Sequence, residues 1–252
     1  MEYRLLCGDC LDRLPLILDG TIDLIVTDLP YGITRNRWDC TIPMIPLWEQ
    51  LCRVAKPSAA ILLFASGMFT ADVMQSGREF WRYNLVWEKT QPTGFLNAHK
   101  MPLRAHEDIC VFYRQLPTYH TQKTMGHPRK VSAATHKRNS KQSEDYGKYQ
   151  PSDYDSTDRF PRSVLRFAKD VQKSALHGTQ KPVALLEYLI RTYSDIGETV
   201  PDCCMGSGST GVACLHTERN FIGIEKDPKI FDCARNRIES EPIYPSLTSA
   251  AP

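Results

Sequence analysis

The sequence of 252 residues lacks the long apolar run that a membrane-spanning helix needs. No stretch approaches about 18 consecutive apolar residues, and the N-terminus lacks the basic-then-apolar pattern of a secretory signal. A disulfide framework is missing too, because the nine cysteines are odd in number and scattered through apolar segments, as reduced core residues are. We therefore expect an intracellular, cytoplasmic protein without membrane contact.

Cysteine pairs at the spacing of a zinc site are also absent. Two residues separate Cys7 from Cys10, and Cys203 is adjacent to Cys204, but neither pair has a second pair of ligands at a suitable distance along the chain. The sequence predicts no metal site.

The chain has little net charge, +2, but one segment is strongly basic. From Arg114 to Lys181 there are 14 Lys and Arg against 6 Asp and Glu, which leaves −6 for the remainder. A basic run is often only a solvated loop, but one confined to a single segment is also typical of a polyanion-binding site. Its candidate contact residues are Lys123, Arg129, Lys130, Lys137, Arg138 and Lys141.

Apolar runs alternate with helical patterns along most of the chain, which favours an α/β fold with a doubly wound, mostly parallel sheet. Strands are predicted at 3–7, 22–27, 59–64, 83–87, 109–113, 199–202 and 220–225. The alternation stops in the polar segment 115–175, which reads as an insertion of functional type. We predict two halves of one domain at 1–114 and 176–240, and a frayed tail at 241–252.

The apolar run Ile22–Thr27 ends in Asp28-Leu29-Pro30-Tyr31. Ligands bind at the carboxyl ends of strands in open α/β sheets, so this loop presents a carboxylate, a carbonyl and an aromatic ring at the predicted active edge. The exocyclic amine of a nucleobase is a poor nucleophile, and hydrogen bonds to Asp28 and the Leu29 carbonyl would return electron density to it. Tyr31 could stack on the base. The alternative is an ordinary Pro-Gly turn with a solvated aspartate.

A glycine loop, Asp202 to Gly211, lies between a predicted strand and a helix, where a bulky ligand can approach the backbone. Its Gly-x-Gly-x-x-Gly pattern also fits a dinucleotide, but Asp202 would face a pyrophosphate unfavourably. S-adenosylmethionine has a positive centre and no phosphate, so it tolerates that acid. Glu225, at the end of the next strand, could bind its ribose, and Asp9 its adenine amine.

The order of these motifs resembles the β class of amino-group DNA methyltransferases, which are circularly permuted. Asp28 to Tyr31 is similar to the family's catalytic Asp-Pro-Pro-Tyr, and Thr179-Gln180-Lys181-Pro182, preceded by His177, to its cofactor-carboxylate motif. The resemblance implies a seven-stranded sheet of the S-adenosylmethionine-dependent type with an inserted recognition region. The implied cofactor residues are Asp9, His177, Thr179, Gln180, Lys181, Asp202, Cys204, Gly206, Ser207, Gly208, Ser209, Thr210 and Glu225.

The resemblance further implies a site-specific enzyme, as in restriction and modification, that flips an adenine out of duplex DNA and methylates its N6 amine. The insertion would read the sequence, and the loop after the catalytic motif adds a second set of candidate DNA contacts, Arg35, Arg37 and Trp38. Enzymes of this family are often homodimers, although no residue here identifies an interface.

Several departures from the family pattern keep alternatives open. Leu29 replaces the first proline of the catalytic motif, Cys203 and Cys204 stand where Pro-Phe is common, and Pro201 lies within a strand. The alternatives are an N4-cytosine DNA methyltransferase and a catalytically silent DNA-binding protein of the same fold. Less favoured are an enzyme acting on RNA or a protein glutamine, and a nicotinamide dehydrogenase.

Overall fold

The computed structural model of the chain describes residues 1–32, 39–134, 152–170 and 180–242. They form two compact units. The first consists of Met1–His120 with Ser163–Pro252, and the second of Thr121–Arg162.

Short apolar runs and amphipathic segments form ten strands and, wholly within the described residues, six α-helices. The strands are Tyr3–Cys7 (β1), Ile22–Thr27 (β2), Ala55–Ala65 (β3), Trp81–Thr93 (β4), Arg104–Phe112 (β5), Lys130–Ser132 (β6), Tyr154–Ser156 (β7), Val164–Phe167 (β8), Thr199–Asp202 (β9) and Asn220–Glu225 (β10). The helices are Cys10–Arg13 (α1), Met44–Val54 (α2), Met68–Ser76 (α3), Val183–Tyr193 (α4), Ser209–Thr217 (α5) and Pro228–Ser240 (α6). In the described part of the chain, no helix combines the length and the apolar character needed to cross a membrane.

Eight strands of the first unit form two sheets. One has the order β1-β10-β9 and is parallel throughout, and the other has the order β2-β3-β5-β4-β8. In the second sheet β5 is antiparallel to both neighbours, whereas β2 with β3 and β4 with β8 are parallel. The predicted α/β fold with a mostly parallel sheet is confirmed.

The two sheets meet where β2 lies beside β9. At one end the Thr199 N–H donates to Asp23 Oδ2 at 3.0 Å, and at the other Thr27 Oγ1 donates to Asp202 Oδ1 at 2.8 Å. The strands therefore run in the same direction, although no backbone ladder joins these two described strands. Pro201, in the middle of β9, has no N–H for such a ladder. Side chains thus take over the connection, and the strands form sheets of three and five instead of one sheet of seven.

The first unit contains one strand more than the seven predicted, and this strand, β8, lies inside the segment 115–175 that was predicted as an insertion. Val164–Phe167 pairs with β4 and buries Leu165, so it belongs to the main unit. The separate compact unit is confined to Thr121–Arg162. Four residues are too few to show a strand period, which is why the sequence pattern missed this strand.

Both faces of the central strands are buried. Leu24 and Val26 of β2 pack in one hydrophobic cluster with α4, α5 and α6, whereas Ile25 packs in a second cluster with α1, α2 and α3. Side chains alternate along a strand, so a strand covered on both faces needs a continuous apolar run. Helices on both faces of the sheet therefore explain why the residues of β2 that precede Asp28 are almost all apolar.

The second unit contains an antiparallel pair, in which β6 runs from Lys130 opposite Ser156 to Ser132 opposite Tyr154. Two of its predicted DNA-contacting residues face acids. Arg129 donates to both carboxylate oxygens of Asp155, at 2.7 and 2.6 Å, and Lys123 lies 3.9 Å from Asp158. The predicted contacts Lys137, Arg138 and Lys141 lie outside the described residues.

A histidine joins three helical elements of the first unit. His216 of α5 has Nδ1 2.7 Å from Glu187 Oε1 of α4 and Nε2 2.9 Å from Glu241 Oε1, just after α6. Burial alone would lower the pKa of His216, but the two carboxylates outweigh it and raise the pKa.

We expect His216→Gln to lower the free energy of unfolding by about 0.5–1 kcal/mol near pH 6. When folding raises the pKa of a histidine, the protonated ring stabilises the folded state. This stabilisation is complete at pH values below the unfolded-state pKa, and it is lost as the pH rises through the folded-state pKa. The deficit of the variant should therefore shrink between pH 6 and pH 9 in urea unfolding, with the exposed His99→Gln as the control. A deficit that is independent of pH would contradict the ion-pair account.

Candidate active site

The carboxyl ends of β1, β2, β9 and β10 open into one cavity of about 740 Å³. Acidic side chains stand at or just beyond the end of each of these strands, namely Asp9, Asp28, Asp202 and Glu225. The predicted active edge of the sheet is thus a continuous cavity whose wall is acidic on this side.

The loop 28–31 after β2, the predicted catalytic loop, is held by core packing of Leu29 and by contacts of Tyr31. Leu29 is 2% exposed and packs in the hydrophobic core, so its side chain anchors the loop where the family pattern has a proline ring. The Tyr31 hydroxyl donates to Asp28 Oδ1 at 2.8 Å, and the Tyr31 ring stacks on Phe69 with centroids 5.0 Å apart. Phe69 covers one face of the tyrosine, so the predicted stacking on a base would use the other.

Lys181 reaches the catalytic loop from the segment that precedes α4. Its Nζ lies 2.6 Å from Asp28 Oδ2 and 3.0 Å from Glu107 Oε2, and Glu107 in turn pairs with Lys89. Four side chains thus form a row of ion pairs with alternating charge, in the order Lys89, Glu107, Lys181 and Asp28. Lys181 was predicted as a cofactor residue, and the structure places its ammonium on the carboxylate of Asp28, which was predicted to be catalytic.

Opposite charges set the protonation states in this row of ion pairs. Burial raises the pKa of Asp28, and Lys181 opposes that rise. For Lys181, burial alone would lower the pKa, but Asp28 and Glu107 outweigh it and raise the pKa. Burial and the neighbouring carboxylates keep the pKa of Tyr31 well above its usual value, so the tyrosine remains a hydrogen-bond donor.

Asp202 is buried under the glycine loop. Its carboxylate accepts from Thr27 Oγ1 at 2.8 Å, from Thr210 Oγ1 at 2.6 Å and from the Cys204 N–H at 3.1 Å. Burial raises its pKa to about 6, against the effect of these hydrogen bonds. The carboxylate therefore organises the start of the loop as well as lining the cavity.

Glu225 braces the same loop from β10. It accepts from the Gly206 N–H at 3.0 Å and from the Asp227 N–H at 2.9 Å. Gly206 has φ +51°, and a Cβ built on it would meet nothing within 4 Å, so the backbone at this point borders open cavity. A ligand can thus approach the main chain closely between Glu225 and the loop.

Asp9 has two structural partners at the outer end of the cavity. It caps α1 by accepting from the Leu11 N–H at 3.0 Å, and Lys226 Nζ lies 2.9 Å from its Oδ2. The hydrogen bond from Lys226 lowers the pKa of Asp9, which favours an ionised carboxylate here.

Arg237 of α6 connects the motif at Lys181 to the glycine loop. With its amide oxygen as the acceptor, Gln180 lies 2.9 Å from both Nη atoms of Arg237 and 3.2 Å from Ser209 Oγ. The same guanidinium donates to the Ser207 carbonyl at 3.2 Å. Arg237 was not predicted from the sequence.

Fourteen of the predicted site residues line the cavity. They are Asp9, Asp28, Leu29, Pro30, Tyr31, Gln180, Lys181, Asp202, Cys204, Gly206, Ser207, Ser209, Thr210 and Glu225. Gly208 does not line it, because it is the left-handed N-cap of α5, and a Cβ there would meet Ile238 at 3.1 Å and Ala234 at 3.3 Å. His177, Thr179, Arg35, Arg37 and Trp38 lie outside the described residues.

The hairpin of β4 and β5 supplies a further wall of the cavity, which was not predicted from the sequence. Its polar side chains are Lys89, Thr93, Arg104, His106 and Glu107, joined by Lys169 after β8. The sequence offers one indication of this wall, because Glu88-Lys89 and His106-Glu107 stand next to apolar strand residues. Charges buried at strand ends need a functional or structural partner.

A family model described as DNA methylase matches residues 22–236 of the chain. Type II methyltransferase M.HpaI of Haemophilus parainfluenzae is 25% identical over 257 residues, which cover 96% of this chain and 76% of that protein.

Two solved structures share the fold. The PvuII DNA methyltransferase, described as cytosine-N4-specific, superposes with a TM-score of 0.67 at 14% identity, over 94% of this chain and 86% of its own. The M1.HpyAVI complex with S-adenosylmethionine gives a TM-score of 0.60 at 21% identity, over 94% and 99% of the two chains.

We expect Asp202→Asn to remove an acid-range change in stability. When folding raises the pKa of a carboxyl, the folded state is more stable with that carboxyl protonated. Ionisation of Asp202 therefore lowers the free energy of unfolding as the pH rises from about 4 to about 6. The expected decrease is about 3 kcal/mol. Urea unfolding across this range should show a flatter profile for the variant than for the wild type. The exposed Asp72→Asn serves as the control, and equal profiles for wild type and Asp202→Asn would contradict the prediction.

Proposed function

The chain belongs to the DNA methylase family of N6 and N4 amino-methyltransferases, and we propose that it transfers the methyl group of S-adenosylmethionine to the N6 amine of a flipped adenine in duplex DNA. The observation that carries this proposal is that the Asp28 carboxylate and the glycine loop open into the same cavity. A nucleobase amine and a methyl donor could therefore meet without solvent between them.

The glycine-loop end of the cavity fits the proposed cofactor. Asp9, Asp202 and Glu225 give it a negative potential that suits an ammonium and a sulfonium, and the open backbone at Gly206 admits an adenosine. When bound, S-adenosylmethionine supplies an electrophilic methyl group. The similar structure of M1.HpyAVI contains this molecule, which supports the assignment.

The residues of the catalytic loop would act on the amine. Asp28 accepts one N–H and the Leu29 carbonyl the other, so that the nitrogen lone pair is directed out of the ring plane. Each carboxylate oxygen has two lone pairs, and the contacts with Tyr31 and Lys181 leave capacity for this further bond. After transfer, Asp28 takes the departing proton directly or through water. Positioning and electrostatics supply most of the acceleration.

A carboxylate at the first motif position supports adenine over cytosine as the target base. The similarity to a cytosine-N4-specific enzyme keeps N4-cytosine as the competing product. Like the relative M.HpaI, which is named a type II methyltransferase, the protein would act at one recognition sequence, as restriction–modification methyltransferases do.

Recognition of that sequence is proposed for the compact unit Thr121–Arg162 and its flanking basic residues. Lys130 is exposed there, whereas Arg129 shares its charge with Asp155. Such lysines and arginines would contact phosphates and position the duplex, while other side chains read base edges. A homodimer would be consistent with the family resemblance.

The proposal is tested by mass spectrometry of nucleosides from plasmid DNA that was grown in a methylation-free host and incubated with the protein and S-adenosylmethionine. We expect N6-methyladenine from the wild type and a loss of about 10³-fold or more in Asp28→Ala, because the variant cannot hold the amine. Asp28→Ala should still bind S-adenosylmethionine in isothermal titration, and the exposed Asp72→Ala should remain fully active.

Each other outcome has a distinct meaning. N4-methylcytosine would overturn the choice of base but leave the reaction in place. No methylated base, with DNA binding retained, would overturn the enzyme proposal in favour of a silent DNA-binding protein. Full activity of Asp28→Ala would remove Asp28 from the mechanism.

A further inference from the structure

Building on the proposed function, we propose that Lys181 is the positioning residue of the catalytic aspartate, and that Glu107 holds its ammonium in place. The resemblance assigns the segment around Lys181 to the cofactor. The contacts instead join it to the group that would bind the target amine.

The geometry leaves the Lys181 ammonium little capacity for a cofactor. The side chain is 8% exposed, and Nζ has hydrogen-bond contacts with Asp28 at 2.6 Å, Glu107 at 3.0 Å and the Tyr31 hydroxyl at 3.5 Å. An ammonium has three donors. These three oxygens account for all of them.

Aromatic rings complete the cage around the ammonium. Nζ lies 5.1 Å from the ring centroid of Phe64 and 5.6 Å from that of Tyr31. A cation near the face of a ring is attracted by its quadrupole, most strongly where water is excluded. The cage fixes the position of the positive charge, and therefore the orientation of the carboxylate that it binds.

Lys89 compensates the charge that Glu107 adds to this buried arrangement. A lysine with one buried aspartate as its partner would form a neutral pair, but the addition of Glu107 alone would leave an excess negative charge. Lys89 pairs with Glu107 and restores neutrality along the row of ion pairs. Removing one partner of a buried ion pair destabilises the protein because it leaves an uncompensated buried charge.

The titratable groups in and around this row of ion pairs come from every surrounding element. They are Asp28 and Tyr31 of the catalytic loop, Lys89 of β4, Glu107 of β5, Lys169 after β8 and Asp202 of β9. Glu107 acts on the pKa of Asp28 in the direction opposite to Lys181, since a second carboxylate disfavours ionisation. Removing the lysine therefore leaves Asp28 with burial and with Glu107, both of which favour its protonated form.

The consequence for the proposed reaction is specific. A protonated Asp28 has lost acceptor capacity and cannot take the proton of the amine. Lys181 would thus act on kcat through the charge and orientation of Asp28, while the affinity for S-adenosylmethionine would depend on the glycine loop.

The test compares Lys181→Met, which keeps an apolar stem without charge, with the conservative Lys181→Arg. At pH 7 we expect Lys181→Met to lower kcat by about 100-fold and to move the acid limb of its pH profile upward by about one unit or more. The KM and the Kd for S-adenosylmethionine should change little. Lys181→Arg should regain most of kcat and the wild-type acid limb, since it restores the positive charge.

Matched controls use the same residue types elsewhere. Lys56→Met removes a lysine paired with Asp23 at the opposite end of β2 and should leave kcat and its pH profile unchanged. Glu107→Gln should reproduce part of the Lys181→Met defect in kcat. Glu88→Gln, which changes the half-buried glutamate of β4 that pairs with Arg166, should not.

The role of Lys181 can be tested separately from the proposed function by a measurement that needs no catalytic turnover. The ¹³C NMR signal of the Asp28 carboxyl, assigned by its absence in Asp28→Asn, should titrate at a higher pH in Lys181→Met than in the wild type and Lys181→Arg. This shift is expected even if the wild type methylates no DNA, which would overturn only the proposed function. An unchanged titration, or a variant whose main defect is weak binding of S-adenosylmethionine, would overturn the role of Lys181 and return it to the cofactor site.

Discussion

The hydrogen bond from Thr27 to Asp202 joins the two sheets at the place on which the site depends. Thr27 is the last residue of β2 and precedes the proposed catalytic loop, and Asp202 is the last residue of β9 and begins the glycine loop. No backbone ladder connects these two described strands. A buried side-chain bond therefore sets the distance between the two loops, and in the proposed reaction this is the distance between methyl donor and acceptor.

A second constraint is the neutralisation of charge inside the cavity. Lys89, Glu107, Lys181 and Asp28 are largely buried, and an isolated charge in such a position costs several kcal/mol. Alternating signs offset that cost, and the resulting row of ion pairs holds the Asp28 carboxylate in one orientation. Asp202 has no cationic partner among the described residues and accepts hydrogen bonds from hydroxyl and amide donors instead. Burial raises its pKa to about 6, because these hydrogen bonds only partly oppose the effect of burial.

Local patterns were sufficient for the strands that carry the motifs. β2, β9 and β10 have the predicted bounds because each is an apolar run closed by turn residues. β4 and β5 are longer than predicted, since their polar ends line a cavity and show no apolar period. Lys89 and Glu107 lie on those ends, and β4 and β5 bring them together by pairing. Lys181 and Asp28 are 153 residues apart, and only the tertiary fold reveals that contact.

The most direct test of this account is a crystal structure of the protein with a non-reactive analogue of S-adenosylmethionine and a duplex that carries the recognition sequence. The account predicts an adenine outside the stack with its amine about 3 Å from Asp28 and from the Leu29 carbonyl, Lys181 still on Asp28, and the analogue between the glycine loop and Glu225. A target base that remains stacked in the duplex, or an analogue bound against β4 and β5, would contradict it.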